Sequence, residues 1–530
     1  MKRILLFLIA LFVLTATLKS QDDEFYLHSL KMNRALYYLK NLYVDSVKTK
    51  DIVETGLKKI IESLDPHSTY ISAEDVQDIT EQLDGEFEGI GIQFEVYRDT
   101  LLVLATISGG PSAKAGLKAG DRIVKIEEEN IANIEITDSQ IMSLLKGEKG
   151  SIVNVTVYRK GEFIDFCIIR DTIPIYSVEA SYRVDDKTCY IRLNRFAKTS
   201  YNEFMKALNE LGNTQNIILD LRGNVGGYMD IAISILNEIL PHKSLLVFTE
   251  GTHSSRKEYI ANKEYGKLRE SRVVVLIDEG SASASEIVSG AVQDWDRGVI
   301  IGRRSFGKGL VQNAYLLPDG SVIRITTSRY YTPTGRLIQK PYKNGVDVYR
   351  KEITYRYKNG EFNTKDSITF DEDMKFKTLK SRRTVYGGGG IMPDIFVPID
   401  TSSYSDYYRD LLSKSVINDF VLMYVDNNRS DLYKLYYSIK SFSEDFQIDE
   451  RFMKRFVAFA ESYDIKYNEE EYAASESEIR LILKALIARD LWDTSAYFFI
   501  TNNDNKMYKK AVSIIKGDEY NRILVGSVVK

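Results

Sequence analysis

Histidine and cysteine are scarce in this sequence: four His (His28, His67, His242, His253) and two Cys (Cys167, Cys189) in 530 residues. So few and so scattered ligands argue against a structural zinc cluster or a disulfide framework, and no metal or other cofactor is expected. The two Cys keep two readings, one disulfide or two buried thiols. Proline is limited to 9 residues, and a chain that is 44% hydrophobic and 28% charged has an ordered, globular composition. Positive charge is not in excess either. The 71 Lys and Arg against 75 Asp and Glu leave a net charge of −4, with no basic track for a phosphate backbone, so nucleic acid is not an expected partner.

Long apolar runs are missing as well, with one exception. Lys2 and Arg3 precede an unbroken apolar stretch from Ile4 to Leu14, followed by a small-residue zone ending near Ser20. This is the form of a secretory signal over residues 1–20. A bilayer span needs about 20 apolar residues, so an uncleaved membrane anchor requires Thr15 to Leu18 to extend the run. The expectation is a cleaved signal and an exported protein, periplasmic in a Gram-negative cell. No Cys follows the run to carry a lipid.

At about 150 residues per domain the length implies three to four domains. Residues 21–84 read as a helical segment: Asp51 with Glu54 suggests a capped start, and Val53, Leu57, Ile60, Ile61 and Leu64 share one helical face. Short β-rich runs then fill 85–172: Ile90 to Val96, Leu101 to Ile107, Arg122 to Ile126 and Ile152 to Tyr158. From 173 to 400 strands (Cys189 to Leu193, Ile217 to Leu221, Val273 to Ile277) alternate with helical stretches (Tyr201 to Leu211, Asp230 to Ile239), which predicts an α/β layer with crossover connections. Residues 401–530 return to helical periodicity, with Ile479, Ile482, Leu483 and Leu486 behind a Ser475-x-x-Glu478 capping box. The chain is thus read as a multidomain α/β protein with a β insertion, a helical N-terminal segment and a helical C-terminal appendage.

Four motifs carry chemistry. Gly89-Ile90-Gly91-Ile92 opens the β segment, and Pro111 to Gly116 and Gly120-Asp121-Arg122-Ile123 follow. Glycines among apolar residues turn successive N–H groups toward one point, which makes a cradle for a carboxylate beside a strand edge. The plain reading of the same residues is a β domain with ordinary turns; the ordered pair of motifs resembles a PDZ domain. Next, Asp220-Leu-Arg-Gly-Asn-Val-Gly226-Gly227 follows the apolar strand at Ile217, and paired glycines at a strand end either make a tight turn or aim N–H groups at an oxyanion. Third, the buried strand at Val273 runs through Asp278-Glu-Gly-Ser281-Ala-Ser283-Ala284-Ser285-Glu286 into a helix, where one serine hydroxyl at the helix N-terminus is either a nucleophile or a cap. Ser281, Ser283 and Ser285 are equal candidates on this reasoning.

A serine nucleophile needs a base, and no histidine sits near this turn. Lys308, in Ser305-Phe-Gly-Lys308-Gly309 after the strand at Val299, is the alternative: desolvation there would bring its pKa from about 10.4 toward about 7 to 8. Gly302 to Lys308 also fits seven places of a phosphate-binding G-x-x-x-x-G-K-[ST] loop. The eighth place is Gly309, and the following residues read as strand rather than helix, so nucleotide binding is set aside.

Together these motifs resemble the carboxy-terminal processing peptidases, or tail-specific proteases, PDZ-containing Ser/Lys serine endopeptidases. The resemblance runs from Leu64-Asp-Pro-His-Ser-Thr-Tyr70 to Gly388-Gly-Gly-Ile-Met-Pro393-Asp-Ile-Phe-Val-Pro398. It implies an α/β core of the ClpP/crotonase type, Ser283 as nucleophile, Lys308 as base and Gln312 as assistant. It further implies an oxyanion hole from Ala284 and a glycine of the Gly226-Gly227 pair, support from Glu286, Asp294 and Arg297, and carboxylate binding at Gly89, Ile90, Gly91 and Ile92. Gly223 and Val225 depart from the Asn and Pro usual in the oxyanion loop, and Ser305 from a common Thr. The implied partners are protein or peptide substrates with free apolar C-termini, with an adaptor or activating protein and a homo-oligomer as open additions. A noncatalytic PDZ-type binding or scaffold protein on the same fold is the rival reading.

Overall fold

The structure, a computed structural model, describes residues 23–97, 100–107, 109–134, 136–369 and 371–526. The signal reading of residues 1–20 lies outside them. The chain divides into two compact units, one holding residues up to Val76 with Gln312–Thr326, the other Gln77–Val311 with the chain from Thr327.

In the first unit, residues 23–42 form an almost wholly exposed helix and Thr49–Glu62 a second one. The second helix begins at Thr49 with no side-chain cap, so Asp51 lies inside its first turn instead of capping it, and of the expected apolar face only Ile61 is buried. Asp65 explains the Leu64 to Tyr70 motif. Its Oδ1 accepts the amides of His67 and Ser68, both at 2.8 Å, and its Oδ2 accepts Ser68 Oγ at 2.6 Å. This Asx-type turn delivers the strand Thr69–Ile71, which pairs antiparallel with Val322 to Arg324.

In the second unit the β segment is an antiparallel sheet in the order Ile92–Tyr97, Thr100–Thr106, Arg122–Ile126, Ile152–Arg159, Glu162–Ile169. The last strand was not expected. Its outward face is largely exposed, Phe163 and Ile169 included, so its apolar residues do not alternate in the half-buried pattern that marks a strand. Cys167 stands on that exposed face and Cys189 is buried in another sheet. Both are free thiols, which overturns both a disulfide and a pair of buried thiols.

The second sheet runs Val178–Arg183, Thr188–Leu193, Asn216–Asp220, Arg272–Ile277, Val299–Gly302, Ile395–Phe396, parallel except for its first pair. Parallel strands are buried on both faces, hence the continuous apolar runs. Ile217, Leu219, Val273 and Val275 face a cluster with the helices Ser200–Leu211, Met229–Ile239 and Ala284–Asp294. Ile218, Val274, Leu276 and Ile301 face Met507, Ala511, Ile514 and Ile515 of the helix Lys506–Lys516. The C-terminal segment is therefore no appendage: its last helices close the second face of the sheet, where each fully buried Ile contributes roughly 1.5–3 kcal/mol. Residues between Tyr407 and Ile500 also build a helical core of their own around Phe420, Phe442, Phe456, Ile479 and Leu483. Ser475 does not cap there. The long helix Glu469–Leu491 starts one turn and more earlier, capped by Asn468 and favoured by three Glu in its first turn, and Ser475 is buried inside it.

Candidate active site

The strand Arg272–Ile277 ends at Asp278, and the chain turns through Ser283 into the helix Ala284–Asp294. Asp278 Oδ1 accepts the amides of Gly223 at 2.8 Å and Gly280 at 3.0 Å, and burial pushes its carboxyl upward. The three serines, equal in the sequence, separate here. Ser281 is buried and donates to the Leu221 carbonyl at 2.7 Å; Ser285 is buried and donates to the Asn224 carbonyl at 2.8 Å. Ser283 is half-buried with φ 56° and ψ −113°, a backbone conformation costly for a residue with a Cβ and one that persists only where its surroundings hold it.

What holds it is Glu286, fully buried one turn into the helix. Its Oε2 accepts the Ser283 amide at 2.8 Å and the Lys308 amide at 2.9 Å, and its Oε1 accepts the Gly307 amide at 2.7 Å and Ser305 Oγ at 2.5 Å. One carboxylate oxygen thus keeps the backbones of Ser283 and Lys308 within two hydrogen bonds of each other. Burial pushes the Glu286 carboxyl up to about 7 even against these donors. Tyr330, also buried, places its hydroxyl against the carbonyl oxygens of both Ser283 and Lys308, and burial keeps the phenol protonated as a donor. Lys308 is half-buried, and the strand Leu310–Leu316 follows it, the arrangement expected from the absence of a helix after the lysine.

The glycine loop lies directly against the serine. A Cβ on Gly226 (φ 103°) would sit 2.7 Å from Ser283 Cβ, and one on Gly227 (φ 145°) would sit 2.2 Å from the Phe196 carbonyl. Asn224 shapes this loop, accepting the Gly226 amide on Oδ1 at 2.9 Å, donating to the Leu193 carbonyl at 2.7 Å and offering its own carbonyl to the Ala282 amide at 2.9 Å. The Gly226 N–H is therefore committed, whereas those of Gly227 and Ala284 meet no backbone or side-chain acceptor among the described residues. Gly223 has φ 69°, a conformation open to the glycine that replaces Asn there, and Val225 is 70% exposed.

Asp294 and Arg297 stand at the other end of the helix that Ser283 begins, touching neither Ser283 nor Lys308. Asp294 accepts Arg336 and, at 2.9 Å, the Thr334 amide, while Arg297 donates to the carbonyls of Ile239 at 3.0 Å and Ser271 at 2.7 Å. Gln312 opens the 312–326 stretch of the other unit and donates to Thr326 Oγ1 at 3.1 Å. The Gly388 to Pro393 motif proves to be a brace. The Ile391 amide donates to Ser305 Oγ at 2.6 Å, and a Cβ on Gly390 would strike the Ser305 carbonyl at 2.7 Å. Tyr330 and Asn224 escaped the sequence reading: one tyrosine among 35 carries no local signal, and Asn224 stood unremarked inside the glycine motif.

In the β domain, Gly91 (φ 72°) separates the buried Ile90 from the strand Ile92–Tyr97, the outermost of its sheet. The amides of Ile90 and Gly91 have no described acceptor, and the Ile90 carbonyl is held by Ser112, amide at 3.0 Å and Oγ at 2.7 Å. Ile141 and Leu145 of the helix Asp138–Leu145 join Ile90, Ile92 and Phe94 in one apolar cluster. Loop, outer strand and helix thus lie side by side, with the strand edge left unpaired among the described residues.

A serine turn and a lysine whose backbone amides share one buried carboxylate oxygen, beside a glycine loop and a separate β domain, form a geometry suited to a serine peptidase with a recognition domain. Residues 187–348 match Peptidase family S41, residues 89–169 match the PDZ domain family, and residues 407–493 match a family of unknown function (DUF8443). The chain is 33% identical over 370 residues to the carboxy-terminal-processing protease of Bartonella bacilliformis, covering 68% of this chain and 82% of that protein. It is 33% identical over 314 residues to the carboxy-terminal processing protease CtpA of Bacillus subtilis, covering 58% and 66%. Among solved structures, a photosystem II D1 C-terminal processing protease aligns at 27% identity and TM-score 0.33 over 58% of this chain and 82% of that one. The chain belongs to the carboxy-terminal processing proteases, PDZ-containing serine peptidases of family S41.

Proposed function

We propose that this protein is an exported endopeptidase that captures free apolar C-termini in its PDZ domain and cleaves near them through an acyl-enzyme on Ser283. The observation that carries the reading is the sharing of Glu286 Oε2 by the Ser283 and Lys308 amides. Lys308, as the neutral amine, takes the Ser283 Oγ proton while Oγ bonds to the scissile carbonyl carbon. The N–H groups of Gly227 and Ala284 receive the oxyanion, since the Gly226 N–H already serves Asn224. The lysine ammonium then protonates the leaving amine as the C–N bond breaks. Water attacks the ester with Lys308 again as base, restoring Ser283.

Export rests on the Ile4 to Leu14 run. No described helix is long and apolar enough to cross a membrane. N-terminal sequencing of mature protein should begin near residue 21; an intact Met1 in the membrane fraction would favour the anchor instead. The activity is tested by mass spectrometry of products from an unfolded model protein with and without a free C-terminal carboxylate. Wild type should release C-terminal fragments and Ser283→Ala none. A folded wild type that binds the peptide and releases nothing would establish the scaffold reading.

A further inference from the structure

Among the described residues the C-terminal segment hydrogen-bonds to Arg222, which leads into the oxyanion loop two residues before Asn224. Arg222 Nη1 donates to Asn505 Oδ1 at 2.9 Å and Nη2 to Asn502 Oδ1 at 3.3 Å. The same Asn505 oxygen accepts the Tyr508 amide at 3.0 Å and so caps the helix Lys506–Lys516, which packs on the sheet. Asn502 is buried and donates to Tyr182 Oη at 2.8 Å. Both asparagines are thus fixed independently of Arg222, as anchors must be.

On the inner side, Arg222 Nε contacts both oxygens of the fully buried Asp220, at 2.9 and 3.0 Å, and Tyr190 Oη donates to that carboxylate at 2.6 Å. The Arg222 and Arg192 guanidiniums keep the Asp220 carboxylate ionised in spite of its burial. The Arg222 carbonyl is held by Arg192 Nη2 at 3.0 Å. Arg222 is therefore where the last parallel-strand carboxylate, the extension and the glycine loop meet. The helix Lys506–Lys516 packs on the sheet through its apolar face, but beside Arg222 a cavity of about 570 Å³, lined by Arg222, Gly223, Asp278, Asn502 and Asn505 among others, opens along the seam, so at this point the polar contacts link the segment to Arg222.

We propose that Asn502 and Asn505 are positioning residues for the peptidase site: they clamp the Arg222 guanidinium and thereby set the 223–227 loop that presents the Gly227 N–H beside Ser283. Neither residue lies in any of the matched family segments, 89–169, 187–348 or 407–493. The kinetic half of the proposal rests on the function argued above; the structural half does not.

The test compares three full-length proteins with wild type: Asn502→Ala/Asn505→Ala, Asn505→Asp and Asn468→Ala. Aspartate at 505 keeps both the helix cap and an acceptor for Arg222. Asn468→Ala removes a comparable cap from the helix Glu469–Leu491 without touching the clamp, and so reports what simple destabilisation does. Amide hydrogen exchange over 223–228 should rise at least tenfold in the double variant alone. The kcat should fall roughly tenfold there, the size of about one lost charge-assisted hydrogen bond, with KM within twofold. Asn505→Asp should retain wild-type exchange and kcat. Wild-type exchange in a folded double variant, or an equal rise in Asn468→Ala, overturns the proposal. Raised exchange in the double variant with no turnover even by wild type would uphold the clamp and defeat the functional reading alone.

Discussion

The loop at Gly89–Ile92 and the turn at Ser283 both expose backbone amides through residues in unusual conformations, yet they are held in different ways. Around Ser283 buried polar side chains fix every neighbour: Glu286 the amides of Ser283, Gly307 and Lys308, Asn224 the glycine loop, Tyr330 two carbonyls. Around Gly91 the only side-chain hydrogen bond to the loop backbone among the described residues is from Ser112, and the adjoining strand is left as a sheet edge. A reacting serine needs one geometry, supplied by satisfied buried hydrogen bonds. On the proposed function, the Gly89–Ile92 loop completes its hydrogen bonds only when a peptide adds itself as a strand.

The strongest way to break this comparison is to remove the chemistry and leave recognition intact. Ser283→Ala and Lys308→Arg should each lower kcat/KM by roughly 10⁴-fold or more, the second because guanidinium stays protonated. Peptide affinity measured by calorimetry should stay unchanged. His67→Ala and His253→Ala should keep turnover.

Glu286→Gln probes the rigidity of the serine turn. The amide group can satisfy only one side of the donor set, leaving buried N–H groups facing an NH₂, at about 1–3 kcal/mol each. A 10- to 100-fold loss of kcat should follow, with peptide affinity intact. Burial raises this carboxyl from 4.5 to about 7 in the folded protein, so its contribution to stability is full below pH 4.5 and lost as pH rises through 7. The advantage of wild type over Glu286→Gln in denaturant unfolding should shrink by about 3 kcal/mol over that interval. A gap that widens with pH would contradict the assignment.

Smaller effects belong to the receptor. Gly91→Ala forces a side chain at φ 72° and 2.9 Å from Ile173 Cδ1, and should weaken binding of a free-acid peptide roughly tenfold while Ser283 stays reactive. Amidated peptides should bind wild type as weakly as the acid binds this variant. Smallest of all, Asn418→Ala removes the contacts from the helix Val416–Leu435 to Glu95 on the outer strand, at 2.8 and 2.7 Å, and should raise KM a few-fold with kcat unchanged.

Much of this was legible in the sequence because it is local. The parallel strands show as apolar runs, and the glycines at 226 and 227 announce a close approach. The serine and lysine each sit where a strand ends, yet only the family resemblance singled out Ser283; burial of Ser281 and Ser285 is what distinguishes them physically. What stayed hidden was long-range. Glu286 joins segments 22 residues apart and Asn505 reaches Arg222 across 283, separations that leave no periodic trace. The capping boxes read at Asp51 and Ser475 failed for the converse reason: each motif is present, but the helix begins elsewhere, at Thr49 and at Glu469.

The pairing of Ser283 with Lys308 is tested most directly by the rate at which a fluorophosphonate labels Ser283, followed by intact mass, in wild type and in Lys308→Arg matched for peptide binding. The account predicts stoichiometric labelling of wild type at Ser283 and a rate at least about 10³-fold lower in the variant. Equal labelling rates in the two proteins would contradict it.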